Sequence, residues 1–394
     1  MKLASRFGVS YRARCFSREA SNHRSIDFIE FSAHSRLLFS LIRNIPGFDA
    51  VRFHIRWRFQ HPWQEEIPVK GPRFVPFVAD ASASRVVASL HFYARILRSI
   101  SRSQIIWIST APESNVLPDL AFFTLLSVFW RRKMVLSIRD LNRWRRDAEQ
   151  MRFQDRIRYQ LLHFMPRLVF ESEEQRAAFL SGRRNFVGSS TSLPVSFSDG
   201  LEDWHRSTPQ PNSGTQKHRL KIGMLGGVDV ARRDYDTVMD ALGMLSERDR
   251  ARVVVSVLGF THAPESPSIL GQLQRIVRIE THNPYIPTRK MMLEFEKCDV
   301  LLAPLRSDVG YGAYKGTGAI GDALIANSRV LIPSDIAIDS TATSLVIPYG
   351  SAIDLKQHIL NLLRGQQRPT IDTSTLDFYR SSVALPRALQ ELGF

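Results

Sequence analysis

Glycines and one lysine crowd into a short stretch at 310–318, directly before a predicted helix. The glycines are Gly310, Gly312, Gly316 and Gly318, and Lys315 lies among them. The free N–H groups at the start of a helix, together with the positive end of its dipole, favour a bound phosphate. With the helix predicted to begin at Ala319, the stretch is either a phosphate-binding loop or an ordinary βαβ unit whose glycines only shape turns.

A second loop that could bind phosphate lies at 226–233, after a predicted strand at 220–225. It begins with Gly226 and Gly227 and ends with Arg232 and Arg233. Glycine lets a ligand approach the backbone closely, and guanidinium groups match phosphate oxygens. Ligands of parallel sheets bind beyond the carboxyl ends of the strands. We therefore expect this loop, the Gly259-Phe260 turn and the glycine-rich stretch to converge on one crevice, where Arg233, Lys315 and the helix start hold a diphosphate.

The elements that must position these loops alternate between strand and helix along the chain, which predicts parallel sheets. Strands are predicted at 49–57, 104–109, 134–138, 167–170, 220–225, 252–258, 299–304, 329–333 and 346–348, with a weaker one at 272–276. Helices are predicted at 25–44, 81–100, 118–130, 143–164, 172–180, 235–245, 287–296, 319–327 and 352–363, and in a tail interrupted before Pro386. In the helix at 172–180, Ser172 and Gln175 have the spacing of a capping box.

A length of 394 residues indicates more than one domain. We expect an N-terminal domain at 1–200, a polar linker at 201–219, a C-terminal domain at 220–366 and a tail helix at 367–394 that packs back on the first domain. Two cysteines, Cys15 and Cys298, cannot form a disulfide framework and indicate a reducing compartment. No apolar window of about 18 residues and no signal-peptide core is found, so a cytoplasmic location is predicted.

The net charge of +15 requires a negatively charged partner or surface: a phosphorylated small molecule, nucleic acid or an anionic membrane. No nucleic-acid reader motif accompanies the charge, which makes nucleic acid the least favoured partner. In the first half, basic residues are interleaved with apolar and aromatic ones, so they form either a face that lies on anionic lipid or a solvated basic surface. The basic residues are Arg85, Arg95, Arg98, Arg102, Arg131, Arg132, Lys133, Arg143, Arg145 and Arg146, and the apolar ones are Phe92, Tyr93, Leu97, Phe122, Phe123, Phe129 and Trp130.

Three pieces of the second half occur in the order typical of a known enzyme family. They are IGMLGGVDVARRDYDTVMDAL, YIPTRKMMLEFEKCDVLLAPL and GAIGDALIANSRVLIPS. This half resembles the donor-binding domain of GT-B-fold glycosyltransferases of the retaining, family-four type. In the first half IIWISTAPESNVLPDLAFF, KMVLSIRDLNRW and LVFESEEQRAAFL are more loosely similar to acceptor-domain elements. The resemblance implies the α/β GT-B architecture, in which two doubly wound Rossmann-like domains face an interdomain cleft.

The resemblance also implies roles for individual residues. Arg232 or Arg233 would contact the donor diphosphate, and Lys315 would supply a second anion contact. Asp322 takes the place of the second glutamate of the family's Glu-x7-Glu motif, which binds the ribose hydroxyls. Tyr314 stands where the first glutamate is expected, and Tyr311 and Tyr314 could hydrogen-bond or stack there. The implied donor-binding set is Gly226, Gly227, Arg232, Arg233, Tyr314, Lys315, Gly316, Thr317, Gly318, Ala319 and Asp322.

Asp140 follows the predicted strand at 134–138, in a loop similar to the family's His-Asp loop. It either orients an acceptor hydroxyl or caps a helix. Lys315, Arg233 and Asp140 are the expected catalytic residues, and Glu113 and His262 are further cleft candidates. Asp234 and Asp236 have a metal-site spacing, but they open a helix, where carboxylates act as caps. Neither a metal nor another cofactor is expected.

These features predict a metal-independent glycosyltransferase that takes a sugar from a nucleotide-diphosphate sugar. The expected acceptor is a glycan or a lipid-linked sugar, in bacterial surface polysaccharide synthesis at the inner face of the plasma membrane. Three alternatives stay open. One is a non-catalytic GT-B-like binding protein, because Tyr314 lacks the charge of a glutamate; the others are a sugar-nucleotide epimerase on the same fold and a nucleic-acid-binding module.

Overall fold

The computed structural model describes residues 24–31, 48, 50–55, 85–101, 103–110, 117–141, 153–182, 186–193, 219–261, 263–282, 288–365, 371, 374–375 and 381–394. Twelve strands in these ranges form two parallel sheets of six strands each. The first sheet contains β1 (Ser25–Glu30), β2 (Ala50–Ile55), β3 (Ile105–Thr110), β4 (Met134–Ile138), β5 (Arg167–Phe170) and β6 (Ser189–Ser192). The second contains β7 (Leu220–Met224), β8 (Val253–Val257), β9 (Arg278–Thr281), β10 (Val300–Leu302), β11 (Val330–Pro333) and β12 (Val346–Tyr349).

Strand order places a topological switch point in each sheet. The first sheet has the order β2-β1-β3-β4-β5-β6, and the second has the order β12-β11-β10-β7-β8-β9. The direction of winding reverses between β1 and β3 in the first sheet and between β7 and β10 in the second. Crevices outside the carboxyl ends of such strand pairs are where doubly wound sheets bind ligands.

Eleven helices accompany these strands in the described ranges, and side chains cap several of them. They are α1 (Arg85–Ile100), α2 (Leu117–Phe129), α3 (Phe153–Phe164), α4 (Glu173–Ser181), α5 (Tyr235–Gly243), α6 (Glu247–Arg250), α7 (Ser266–Ile276), α8 (Thr288–Glu296), α9 (Ala319–Ala326), α10 (Ala352–Leu363) and α11 (Ser381–Glu391). Ser172, Asp234 and Ser351 each accept a hydrogen bond from a backbone N–H in the first turn of α4, α5 and α10. Among the described residues, no helix is long and apolar enough to cross a bilayer.

The last helix of the chain completes the core of the first sheet. Five apolar residues in or directly after α11 pack against Ile26, Phe28, Val51, Trp107 and other residues of the first sheet: Ala384, Leu385, Ala388, Leu389 and Leu392. The Thr191 hydroxyl donates to the Glu391 carboxylate, and Arg167 Nε donates to the Leu392 carbonyl at 2.7 Å. The chain therefore returns to its first half after building the second.

The helix predicted at 25–44 is wrong over its first residues, because Ser25–Glu30 forms strand β1. This strand lies between β2 and β3, and all six of its residues are buried. A strand that is buried on both faces does not alternate apolar and polar residues, so Ile26, Phe28 and Ile29 imitate a helical spacing. Most of the remaining predicted helix lies outside the described residues.

Buried Asp27 in β1 is satisfied by a cluster of polar side chains. Arg52 donates to both carboxylate oxygens at 2.9 and 2.8 Å, His54 Nε2 lies 2.7 Å away, and the hydroxyls of Ser99 and Ser103 also donate. Burial alone would raise the pKa of Asp27, but the hydrogen bonds and charges of Arg52 and His54 outweigh it and hold the pKa at about 2.

Two further predictions of secondary structure are corrected. The weaker strand predicted at 272–276 lies inside α7, and the strand of this region is β9, which begins at Arg278. Pro386 does not interrupt α11, because the apolar face of that helix is held against the first sheet on both sides of the proline. Strand β6 is not predicted by the sequence, since SSTS has no apolar pattern.

Candidate functional site

The basic loop at 226–233 is fixed to the segment that follows β10. Arg233 and Leu305 form an antiparallel β-bridge, and the Asp234 N–H donates to the Pro304 carbonyl at 2.9 Å. The Arg306 N–H donates to the Arg232 carbonyl at 3.3 Å. These contacts bring the paired arginines beside the glycine-rich stretch, although some 80 residues separate them in sequence.

Glycines allow the predicted loops to converge at the ends of β7 and β8. Gly226 has a φ of 82°, and a Cβ atom there would collide with the Arg233 guanidinium. A Cβ atom on Gly259 would overlap the Gly226 carbonyl. The Val228 N–H donates to the Phe260 carbonyl at 2.8 Å, and Gly227 packs on Phe260. Only glycine, which has no Cβ atom, allows the backbones of these two turns to approach so closely.

Three cations surround the ring of Tyr311. The Tyr311 hydroxyl accepts from Arg232 Nε at 3.0 Å and from Arg233 Nη1 at 3.1 Å. The Arg233 guanidinium and the Lys315 ammonium each lie 5.5 Å from the ring centroid. We call Arg232, Arg233, Lys315 and Tyr311 the cation cluster. Its concentrated positive charge suits a ligand with two or more negative charges.

The positive charge of the cluster affects the pKa of the Tyr311 hydroxyl. Burial of this side chain would raise the pKa of its hydroxyl, but the charges of Arg233 and Arg232 and their hydrogen bonds outweigh burial and lower it. The sequence indicates Tyr311 only as a residue that could hydrogen-bond or stack. Its position under the arginines depends on how the two loops pack, which no local pattern specifies.

Helix α9 begins four residues after Lys315 of the cation cluster. Gly318 is its N-cap residue and provides no side-chain cap, while Thr317 Oγ1 accepts from the Ala319 N–H at 3.3 Å. Asp322 lies in the first turn and is half-buried. The helix start thus offers backbone donors and a positive dipole end next to the basic side chains.

The expected catalytic residues Asp140 and Lys315 meet across the two halves of the molecule. Their side chains form an ion pair with 3.7 Å between Oδ2 and Nζ. Around them the backbone forms a short antiparallel ladder: the Leu141 N–H donates to the Tyr314 carbonyl at 2.6 Å, and the Gly316 N–H donates to the Arg139 carbonyl at 2.9 Å. We call this contact the interdomain ladder.

Tyr314 lies at the interdomain ladder rather than in the cation cluster. Its backbone pairs with Leu141, and its ring packs against the core of the first half. Gly316 is equally constrained, because a Cβ atom there would overlap the Glu171 carboxylate. Of the predicted donor-binding set, Arg232 and Arg233 therefore lie in the cation cluster, Tyr314 and Gly316 join the two halves, and Lys315 belongs to both groups.

A cavity of about 620 Å³ lies next to the interdomain ladder. Its walls come from α4, β6, α9, α11 and the segment after β11, and they include Glu171, Arg176, Thr317, Ile320 and Asp339. Asp322 is not among the lining residues, so the cavity and Asp322 lie on different faces of α9.

Within the described ranges, no group of three or more His, Cys, Asp or Glu side chains could hold a metal ion. The predicted cap role of Asp234 is observed, since it accepts from the Thr237 N–H at 3.1 Å. The cleft candidates Glu113 and His262 lie outside the described residues, as does Cys15.

Comparison with solved structures identifies the fold. HepE from Anabaena, in a crystal structure with UDP-glucose, superposes with a TM-score of 0.59 at 12% identity, covering 94% of this chain and 99% of that one. A glycosyltransferase from Rickettsia africae gives a TM-score of 0.57 at 12% identity, covering 94% and 98%. WaaG, a glycosyltransferase involved in lipopolysaccharide biosynthesis, gives 0.50 at 13% identity, covering 94% and 100%. No protein-family model and no curated protein sequence matches the chain.

These similarities extend over nearly the whole chain and confirm the predicted GT-B architecture of two Rossmann-like sheets. At 12–13% identity they establish the fold. What the protein does has to be argued from its own residues.

Proposed function

We propose that the protein is a glycosyltransferase that transfers a sugar from a nucleotide-diphosphate sugar to a glycan or lipid-linked acceptor. The cation cluster is the observation that carries this proposal. Arg232, Arg233 and Lys315 surround one ring beside the start of α9, at the switch point of the second sheet. That arrangement can bind a diphosphate and stabilise the charge that develops on it as the sugar leaves.

The remaining roles follow from this placement. Arg233 and Lys315 balance the leaving diphosphate, so the proposed mechanism needs no metal ion. Asp322 is proposed to accept hydrogen bonds from the ribose hydroxyls. Asp140 is proposed to orient the acceptor hydroxyl from the first half. The bound UDP-glucose of HepE, a protein of the same fold, supports a nucleotide-sugar donor.

A basic, aromatic surface at the end of α2 supports a lipid-linked acceptor. Val128 and Phe129 are 68% and 69% exposed, and Phe164 is 54% exposed. The Phe129 ring lies 6.0 Å from that of Trp130, and the Arg131 guanidinium lies 6.0 Å from the Phe164 ring centroid. We call Val128, Phe129, Trp130, Arg131, Arg132 and Phe164 the basic aromatic patch.

Four aromatic residues of the membrane face expected from the sequence are not on the surface, and Arg102, Arg143, Arg145 and Arg146 of that face lie outside the described residues. Phe92, Tyr93, Phe122 and Phe123 are buried in the first core and do not reach the surface. Exposed rings next to guanidinium groups suit the headgroup region of anionic lipid. We propose that the protein works at the inner face of the plasma membrane, in bacterial surface polysaccharide synthesis.

The donor site is tested by titrating UDP, GDP and dTDP, their sugars and the matching nucleosides into the protein by calorimetry. Arg233→Ala and Lys315→Ala should each weaken nucleoside diphosphate binding about tenfold and leave nucleoside binding within about twofold, because a charge-assisted contact is lost. Arg306→Ala is the matched control, because the Arg306 guanidinium is already paired with Asp308 at 3.0 and 2.7 Å.

Failure of all donors to bind would refute the proposal. Equal losses of affinity for the nucleoside and the nucleoside diphosphate would show that Arg233 and Lys315 do not bind the diphosphate. Binding without transfer or donor hydrolysis, for every acceptor tried, would favour the non-catalytic alternative.

A further inference from the structure

Gln175, near the start of α4, is a polar side chain with no exposed surface. Its Nε2 donates to the Arg139 carbonyl at 2.9 Å and to the Tyr314 carbonyl at 3.3 Å. Its Oε1 accepts from the Glu171 N–H at 3.0 Å. Every hydrogen bond of this amide group therefore goes to backbone, and one of the partners belongs to the other half of the molecule.

The capping-box prediction is confirmed in only one of its two hydrogen bonds at this helix. Ser172 Oγ accepts from the Gln175 N–H at 3.2 Å, as the motif requires. The Gln175 side chain does not turn back to close the box at Ser172. It points instead into the contact between the two halves.

The two carbonyls that Gln175 joins lie on opposite strands of the interdomain ladder. Arg139 precedes Asp140, and Tyr314 precedes Lys315. The Asp140–Lys315 ion pair is 3.7 Å long and about a quarter exposed on each side, so it contributes little by itself. The backbone contacts must therefore hold the pair together.

We propose that Gln175 is a positioning residue, which holds the backbones of Asp140 and Lys315 in register across the two halves. The role of this register in sugar transfer rests on the proposed function, but the docking of the ladder does not. Without the amide donors, the Arg139 and Tyr314 carbonyls each lose one of two hydrogen bonds and keep only the ladder bond from Gly316 or Leu141. The ladder then opens more often.

Amide hydrogen exchange in the ligand-free protein tests the docking directly. Gln175→Met keeps the length of the side chain and removes its hydrogen bonds, and should lower protection of the Leu141 and Gly316 amides about tenfold. Gln357→Met is the control, because Gln357 is exposed on α10 and donates only to Asn361, at 2.9 Å.

The Gln175→Glu variant adds a second test, the pH dependence of ladder protection. If the side chain at this position only filled space, protection would not depend on its protonation. An ionised carboxylate has no donor for the two carbonyls, whereas a protonated carboxyl group has one. Burial, the two carbonyls and nearby Glu171 and Asp140 favour the protonated form. The charges of Arg139 and Lys315, the Glu171 N–H and the start of α4 favour the ionised form. Ladder protection in this variant should be low near pH 8 and recover as the pH falls towards about 5.

Steady-state kinetics then connect the ladder to the reaction. Gln175→Met should lower kcat about tenfold and leave the donor KM within about twofold. The reason is that the proposed diphosphate contacts Arg232, Arg233 and Lys315 all belong to the second half and stay together when the ladder opens, whereas transfer also needs Asp140 from the first half.

Each result of these experiments supports or overturns a stated part of the proposal. Unchanged ladder protection in both Gln175 variants would overturn the proposal, and reduced protection with an unchanged kcat would overturn its catalytic part. If Gln175→Met loses protection throughout β4 and β5, it has misfolded, and the pH-dependent recovery of Gln175→Glu decides instead; no recovery would overturn the proposal. If the wild type transfers no sugar, the proposed function fails while the exchange result still stands.

Discussion

At the scale of single residues, the proposed site depends on Tyr311 as much as on the basic side chains around it. Its hydroxyl accepts from both arginines, and its ring faces Lys315. Replacing this hydroxyl by hydrogen keeps the ring but frees the two guanidinium groups to move. Tyr311→Phe should therefore weaken nucleoside diphosphate binding about fivefold near pH 7, as expected for a net loss of about 1 kcal/mol.

The pH dependence of the same variant provides a sharper test. The Tyr311 pKa is lowered from its usual value of 10.0, so the phenolate forms at a lower pH than in an exposed tyrosine. The phenolate neutralises part of the cluster and repels a diphosphate. Wild-type affinity should fall as the pH rises towards 10, and that of Tyr311→Phe should stay nearly flat. Parallel pH profiles in calorimetric titrations would contradict this account.

How much of the site the sequence predicts depends on the kind of residue. Arg232, Arg233 and the start of α9 are predictable because glycines and charges after a strand form a local pattern. The sequence indicates Gln175 only as part of a helix cap, since its partners lie 36 and 139 positions away. Tyr314 is assigned to the donor by its position in a motif, whereas its ring packs in the first core. Long-range contacts of this kind leave no periodic signal.

At the scale of elements, the turns after β7 and β8 depend on the absence of a Cβ atom. Gly259→Ala would place a methyl group on the Gly226 carbonyl and should destabilise the second half by about 3 kcal/mol. Gly243→Ala is the matched control, because nothing lies within 4 Å of a Cβ atom at that helix end. It should be neutral or stabilising by up to about 1 kcal/mol. Urea unfolding of both variants measures the difference, and equal stabilities would contradict the close approach of the two turns.

The strands of the second sheet are easier to predict than those of the first. β8, β10 and β11 are short, fully apolar or nearly so, and bounded by turn residues. β1 carries the buried charges Asp27 and Glu30, and β6 consists of serine and threonine. Their strand character comes from neighbours in the sheet and from side chains such as Arg52, which tertiary structure supplies.

Helix α11 is an element whose contribution can be measured by substitution within one turn. Leu385 is fully buried against the first sheet, whereas Val383 is 48% exposed. Leu385→Ala should lower the free energy of unfolding by about 3 kcal/mol, and Val383→Ala should change it by less than about 0.5 kcal/mol. Thermal and urea unfolding give both values. Equal effects would mean that α11 does not belong to the core of the first half.

At the scale of the whole molecule, the described part of the chain connects its two halves at the interdomain ladder and through α11. The interdomain ladder joins them at the carboxyl ends of the strands, and α11 returns from the second half to cover the first sheet. A substrate that contacts both the cation cluster and Asp140 must therefore be accommodated at a boundary where the halves already touch. The proposed role of Gln175 concerns this boundary: docking of the two halves would be a condition for bringing together Asp140 and Lys315, the proposed catalytic residues.

The net charge of +15 and the basic aromatic patch predict that the whole protein associates with anionic membranes. The protein should sediment with vesicles that contain phosphatidylserine or cardiolipin and release them as salt is raised, because surface charges are screened. Phe129→Ser should weaken vesicle binding about tenfold through loss of apolar burial. Ile353→Ser is the matched control, because Ile353 is 67% exposed but belongs to the second half. Equal losses in both variants, or equal binding to neutral vesicles, would show that the patch is an ordinary solvated surface.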